Sequence, residues 1–150
     1  MIDKTVPDVA TAVAGIADGA TVMVGGFGRA GQPVELIDAL IDAGGAGIGA
    51  FYSPTSVWVP LAEGREQRVI DGRSYLLEYP IHADVALISG LAAERLGNGV
   101  YRRTARNFGP IMATAARTTV VQVDEIVEVG ALDPEAVVTP GIFVNRVVAV

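Results

Sequence analysis

Residues 18–33 read DGATVMVGGFGRAGQP, and this stretch decides the fold. Asp18-Gly19 breaks whatever precedes it, and residues 21–24 form a short apolar, β-branched run closed by glycine. A run of that kind predicts a strand buried on both faces. The glycine-rich residues 25–31 follow, and Pro33 stands where a first helical turn begins, with Val34, Ile37 and Ile41 recurring along one side. Strand, glycine loop and helix is the arrangement in which backbone N–H groups at a helix start can hold an anion, and glycine lets a ligand reach the main chain. A glycine loop by itself is as often a tight turn as a cradle. The loop lacks the glycine spacing of the dinucleotide fingerprint, and no Lys-Ser or Lys-Thr pair follows it as in a P-loop.

Working outward, Val9, Val13 and Ile16 have the spacing of one helical face, with Thr5 and Pro7 as start signals. Downstream, residues 44–55 are too rich in glycine and proline for regular structure and predict a connecting or functional loop. Residues 67–70 and 74–79 flank Asp71-Gly72-Arg73, a hairpin signal. Residues 85–88 and 118–123 read as buried strands separated by a helix near 110–116, and Thr139-Pro140-Gly141 turns the chain into a last strand. The expected architecture is one α/β domain over residues 1–150, with a mixed, largely parallel sheet, flanking helices and glycines at the strand ends.

Composition narrows the chemistry. The 150 residues support one hydrophobic core and not two ordinary domains. At 51% hydrophobic and 19% charged residues, the chain is too apolar for disorder, and the excess suggests coverage by another protein chain. No apolar run reaches membrane length and no signal peptide is recognisable, so a cytoplasmic protein is expected. The absence of cysteine excludes disulfides and thiolate nucleophiles, and the single histidine, His82, leaves little for a metal site; none is expected. A net charge of −6 is opposite in sign to a general nucleic-acid binder.

The string 18–33 resembles the signature of family I coenzyme A transferases, in their A (alpha) subunit: an Asp-Gly pair, three apolar residues, Gly-Gly-Phe, then Gly-x-Pro. Four further segments are similar to the same family: GGAGIGAFYSP (44–54), PIHADVALI (80–88), GNGVYRRTARNFGP (97–110) and VTPGIFVNRVV (138–148). The nearest resemblance is to A subunits of the 3-oxoacid and 3-oxoadipate type, with succinyl-CoA as donor. The chain departs from the pattern in one place. Family A subunits carry several tens of additional residues, with further core strands, between the first helix and the GGAGI loop, whereas here Leu40-Ile41-Asp42-Ala43 runs straight into Gly44. A segment is therefore expected to be missing near residues 41–44.

The resemblance implies a ping-pong exchange in which a glutamate of the partner B (beta) subunit, in a Ser-Glu-Asn-Gly context, becomes a glutamyl-CoA thioester. That string does not occur here, and Glu35, Glu63, Glu66, Glu78, Glu94, Glu125, Glu128 and Glu135 are expected to be solvated acids. No catalytic residue is assigned to this chain. By resemblance, Gly25, Gly26, Phe27, Gly28, Arg29, Ala30 and Gly31 contact coenzyme A, which enters as an acyl-CoA substrate and not as a permanent cofactor. The other substrate is a 3-oxo acid, acetoacetate or 3-oxoadipate. Phe51 and Tyr52 are candidate acyl contacts, although aromatics between glycines serve equally as packing anchors. His82 fits a structural role near a strand start better than that of a base. Arg102, Arg103 and Arg106 form a basic cluster that could offset phosphates or equally be a solvated face. Asn107-Phe108-Gly109-Pro110 predicts a helix start. The competing reading is a non-catalytic binding or regulatory protein that keeps the A-subunit fold.

Overall fold

The computed structural model describes residues 2–24, 47–55 and 57–150. The expected helix on 33–41 and the loop 25–31 lie outside the described residues. Four strands, β1 (Val22–Val24), β5 (Ala83–Ser89), β8 (Ala116–Val123) and β10 (Arg146–Ala149), form one sheet in that spatial order, and every neighbouring pair is parallel. Residues 4–6 run along the outer edge of β10, bridging Thr5 to Val147, with Val6 N–H donating to Val147 O at 2.8 Å.

Elements pack on both faces of this sheet, and its strands have apolar, β-branched centres such as residues 85–88, 120–121 and 147–148. On one face, helix α2 (Gly109–Ala115) packs Met112, Ala113 and Ala115 against Ala86, Ile88, Val121 and Val147. Pro110 sits in its first turn, and Asn107 Oδ1 accepts the Phe108 N–H at 2.5 Å, in agreement with the expected helix start. The other face carries Val120 and Val148 against Ala12 of helix α1 (Val9–Val13).

The first helix differs from expectation. Asp8, not Thr5, caps it, accepting the Thr11 N–H at 2.7 Å, because Thr5 is drawn into the bridge to Val147. The chain leaves the helix at Ala14, so Ala12 is the buried residue while Val9 and Val13 stay partly exposed. Arg146 closes the other end, its guanidinium donating to the carbonyls of Ala12 at 2.8 Å and Ala14 at 2.6 Å, where the helix dipole favours a cation.

A second sheet is antiparallel, with β4 (Arg73–Glu78) between β2 (Phe51–Ser53) and β3 (Gln67–Ile70). The hairpin falls where the sequence predicts it. Asp71 and Gly72 have φ of 49° and 77°, the double positive pair of a two-residue hairpin turn, so Arg73 already belongs to the strand. Residues 51–53 were expected to be irregular and are instead a strand, since β4 offers them an edge.

A third small sheet joins β6 (Ala92–Glu94) to β7 (Gly99–Val100) and β9 (Glu125–Val127). It prolongs the first: β5 runs on into β6 through Gly90, and β8 into β9 through Asp124, so the same two segments stay side by side across both sheets. A Cβ at Gly90 would lie 3.1 Å from Val100 O, a close approach that glycine permits.

Candidate functional site

In a parallel sheet the carboxyl ends of the strands form the rim where ligands gather. At this rim β1 ends on Val24, in register with Leu87 of β5, and the next residue is Gly25. The glycine-rich stretch therefore departs from the carboxyl end of an edge strand in the described part of the sheet. Its seven residues, Gly25 to Gly31 in the sequence expectation, lie outside the described residues.

Beside that point, Ser89 and Gln122 are register partners at the ends of β5 and β8. With Leu87, Val120, Val148, Val9 and Val13 they line a cleft of about 250 Å³ on the α1 face. Its wall is apolar, and its polar groups are one hydroxyl and one primary amide, which can hydrogen-bond a neutral group but move no proton near neutral pH. Neither residue was singled out from the sequence. The signal available was the switch from the apolar run 85–88 to Ser89-Gly90.

Phe51 and Tyr52 are consecutive in β2 and so face opposite sides of the antiparallel sheet. They cannot form one wall of a pocket together. Phe51 stands opposite Glu78 and Tyr52 opposite Leu77. The Tyr52 hydroxyl donates to Glu66, a bond that raises the phenol above its usual titration range, and Arg68 lies over the Tyr52 ring with its guanidinium carbon 5.9 Å from the centroid.

The remaining candidates sit elsewhere. His82 is exposed and precedes β5, at the amino ends of the strands, next to Thr114 and Arg117. Arg102, Arg103 and Arg106 are exposed around the turn Arg103–Arg106 that leads to α2.

Two carboxylates expected to be solvated are buried. Glu78 pairs with Arg65 at 2.7 Å, under a loop that places Val57 and Ala62 on Leu76. Glu94 accepts Asn98 Nδ2 at 2.9 Å and the Gly130 N–H at 2.7 Å, and Asn98 Oδ1 in turn accepts the Gly141 N–H at 2.8 Å. Burial of each acid depends on a donor outside its own turn, Arg65 for Glu78 and Gly130 for Glu94, which no local pattern reveals. With both oxygens occupied, Glu94 is a structural clamp between the 94–98 turn and the 130 and 141 loops.

The family description of coenzyme A transferases matches residues 6–43 and 41–150. The A (alpha) subunit of the 3-oxoadipate CoA-transferase of Pseudomonas putida is 43% identical over 219 aligned positions, which take in 100% of this chain and 95% of that protein. Since this chain has 150 residues, that relative holds a stretch with no counterpart here. The family match breaks at residues 41–43, where the sequence departs from the expected pattern. The A (alpha) subunit of a probable succinyl-CoA:3-ketoacid coenzyme A transferase of Bacillus subtilis is 49% identical over 108 residues, 72% of this chain and 45% of that one. In fold, the acyl-CoA transferase of Escherichia coli O157:H7, solved as a thioester complex with CoA, superposes with a TM-score of 0.69 at 19% identity, over 79% of this chain and 27% of that one. With β1 lying within its signature string 18–33 and the match extending along nearly all of its length, the chain belongs to the coenzyme A transferase family.

Proposed function

We propose that this chain is the A (alpha) subunit of a 3-oxoacid coenzyme A transferase that moves coenzyme A from succinyl-CoA to a 3-oxo acid, acetoacetate or 3-oxoadipate. One observation carries the reading: the family's glycine signature begins at the residue after Val24, on the carboxyl rim of a parallel sheet. In this reading residues 25–31 meet the acyl-CoA through main-chain N–H groups, and the whole of residues 1–150 acts as one A-type domain.

The nucleophile is a glutamate of the companion B (beta) subunit. Its carboxylate attacks the thioester carbonyl and expels the CoA thiolate, leaving a mixed anhydride. The thiolate then attacks the glutamyl carbonyl and releases succinate, and the glutamyl-CoA thioester passes CoA to the incoming 3-oxo acid by the reverse sequence. Dividing the exchange in this way lowers the barrier of each step. A cytoplasmic setting belongs to the same reading. No helix among the described residues is long and apolar enough to cross a membrane.

The test is co-expression with the companion subunit, addition of acetoacetyl-CoA or succinyl-CoA, and borohydride, which reduces a glutamyl thioester. Inactivation with the modified glutamate on the companion is expected. Modification of a glutamate in this chain, or no thioester at all, would overturn the assignment. The break at 41–43 favours a second reading, a binding or regulatory protein that keeps the fold; stable association with the companion and no thioester is its signature.

A further inference from the structure

The cleft beside α1 is built by alternation along parallel strands. Side chains two apart share a face, so Leu87 and Ser89 of β5 lie on the α1 side with Val120 and Gln122 of β8, and Val148 of β10 stands in register with Gln122. Leu87, Val120 and Val148 make an apolar floor across three strands, and Ser89 with Gln122 tops it at the carboxyl rim. Helix α1 supplies a wall. Ala12 packs on Val120 and Val148 but is too short to fill the space, while Val9 and Val13, 49% and 38% exposed, line it with aliphatic surface open to water.

The lining excludes more than it admits. It holds no lysine, arginine, histidine or carboxylate, so nothing in it offsets a phosphate or a carboxylate, and bringing either anion against such a wall is costly. It offers apolar surface, one hydroxyl and one carboxamide, and among the described residues neither polar side chain has a hydrogen-bond partner. An acyl-CoA has a nucleotide that carries phosphates, a short acyl group that in succinyl-CoA ends in a carboxylate, and between them the pantetheine arm. The arm is a neutral chain with two amides, a hydroxyl and a geminal dimethyl carbon, and it alone matches the charge and polarity of the cleft. A volume of about 250 Å³ suits an extended chain better than a group as small as acetoacetyl. Position agrees with chemistry. Leu87 in the floor is the register partner of Val24, the last residue of β1, and neighbouring strands lie about 4.8 Å apart, so the glycine signature begins one strand away on the same rim.

We propose that the cleft between α1 and the ends of β5, β8 and β10 holds the pantetheine arm of the acyl-CoA, with Gln122 and Ser89 hydrogen-bonded to its amides and its dimethyl carbon against the floor of Leu87 and Val120. The identity of the ligand rests on the functional reading above. The two neutral side chains set the register of the arm, and the apolar floor supplies affinity without selecting among acyl groups.

The experiment uses the complex of this chain with its companion subunit and titration calorimetry with two probes, coenzyme A and adenosine 3′,5′-bisphosphate, which lacks the arm. Val13→Phe narrows the cleft from its half-exposed wall. Gln122→Glu keeps the shape but sets a carboxylate against the carbonyls of the arm; melting temperatures show that each variant is folded. Each should bind coenzyme A roughly tenfold or more weakly than wild type, with the affinity for the bisphosphate unchanged. Equal coenzyme A affinity in both folded variants overturns the proposal. A parallel loss for both probes overturns it too, because a general disturbance of the complex does not distinguish them. Borohydride-sensitive thioester formation by the wild-type complex tests the functional reading separately. A complex that shows the arm-dependent difference yet forms no thioester sinks that reading and leaves the cleft assignment standing; one that forms the thioester while its variants bind coenzyme A like wild type sinks the cleft assignment alone.

Discussion

Thr119 and Asn145 exchange hydrogen bonds where β8 meets the approach to β10: the Thr119 N–H donates to Asn145 Oδ1 at 2.7 Å, and the Asn145 N–H donates to Thr119 O at 2.9 Å. Thr119 is fully buried, and its hydroxyl also donates to Ala113 O at 3.1 Å, so this one residue ties the end of α2 to two parallel strands. Asn145→Ala removes the acceptor and strands a main-chain donor, a loss of about 1 to 2 kcal/mol. Asn145→Asp keeps an acceptor and should cost less. Urea midpoints of the two variants, read at equal slope, check the order; equal losses would show that the side-chain bond is not what holds the junction.

Gly97 and Val144 form a tighter contact. Gly97 has φ of +94°, and a Cβ there would stand 2.9 Å from Val144 Cβ. Gly141 is similarly closed in by the Leu96 carbonyl and Asn98. Gly97→Ala meets both backbone strain and overlap in a region clamped by Glu94 and Asn98, and should cost more than about 2 kcal/mol. Gly19→Ala is the control: its φ is +79° but nothing lies within 4 Å of the added carbon, so only the strain remains. Thermal melting of the pair separates overlap from strain, with Gly97→Ala expected to melt well below Gly19→Ala.

How much of this could be read beforehand depended on range. The hairpin was legible because Asp71-Gly72 and both strands lie within a dozen residues. The strands β5 and β8 were legible because residues 85–88 and 118–123 are rich in apolar and β-branched residues and are largely buried. Strand β2 was not, since three residues beside glycine and proline become a strand only through pairing with Leu76, Leu77 and Glu78. The small sheet and its clamp were invisible for the same reason: Glu94 looks solvated until Gly130 and Asn98 arrive as donors. Family and fold were carried by the string 18–33. The cleft residues Ser89 and Gln122 come together through parallel pairing across 33 positions, which no local spacing signals.

Arg65 and Glu78 make the shortest test of a buried charge. The carboxylate is buried while the arginine remains partly open to water, and they meet at 2.7 Å. Arg65→Met strands the carboxylate beneath Val57 and Ala62, and should destabilise by roughly 1 to 3 kcal/mol. Glu78→Gln, which buries no charge, should be milder. The double variant should recover part of the loss relative to the sum of the two, and the coupling from such a cycle measures the pair directly. Full additivity would mean that water already screens Glu78.

Tyr101 provides the pH-dependent test. Burial raises the phenol above its ordinary value, against the lowering influence of its hydrogen bond with Thr139, at 2.6 Å, and of Arg106. A raised folded value means that the fold prefers the neutral phenol. The contribution is therefore complete below the unfolded value of 10.0 and is lost as pH climbs through the higher folded one. Stability should be flat from neutral pH to about 9 and should decline above about 10, where unfolded chains release the proton first. Tyr101→Phe sacrifices the bond to Thr139, about 1 kcal/mol at neutral pH, but has no phenol to ionise, so its curve should fall less steeply above pH 10 and approach the wild-type curve. Urea midpoints between pH 8 and 11 decide it: parallel curves would mean that Tyr101 ionises as readily in the fold as out of it.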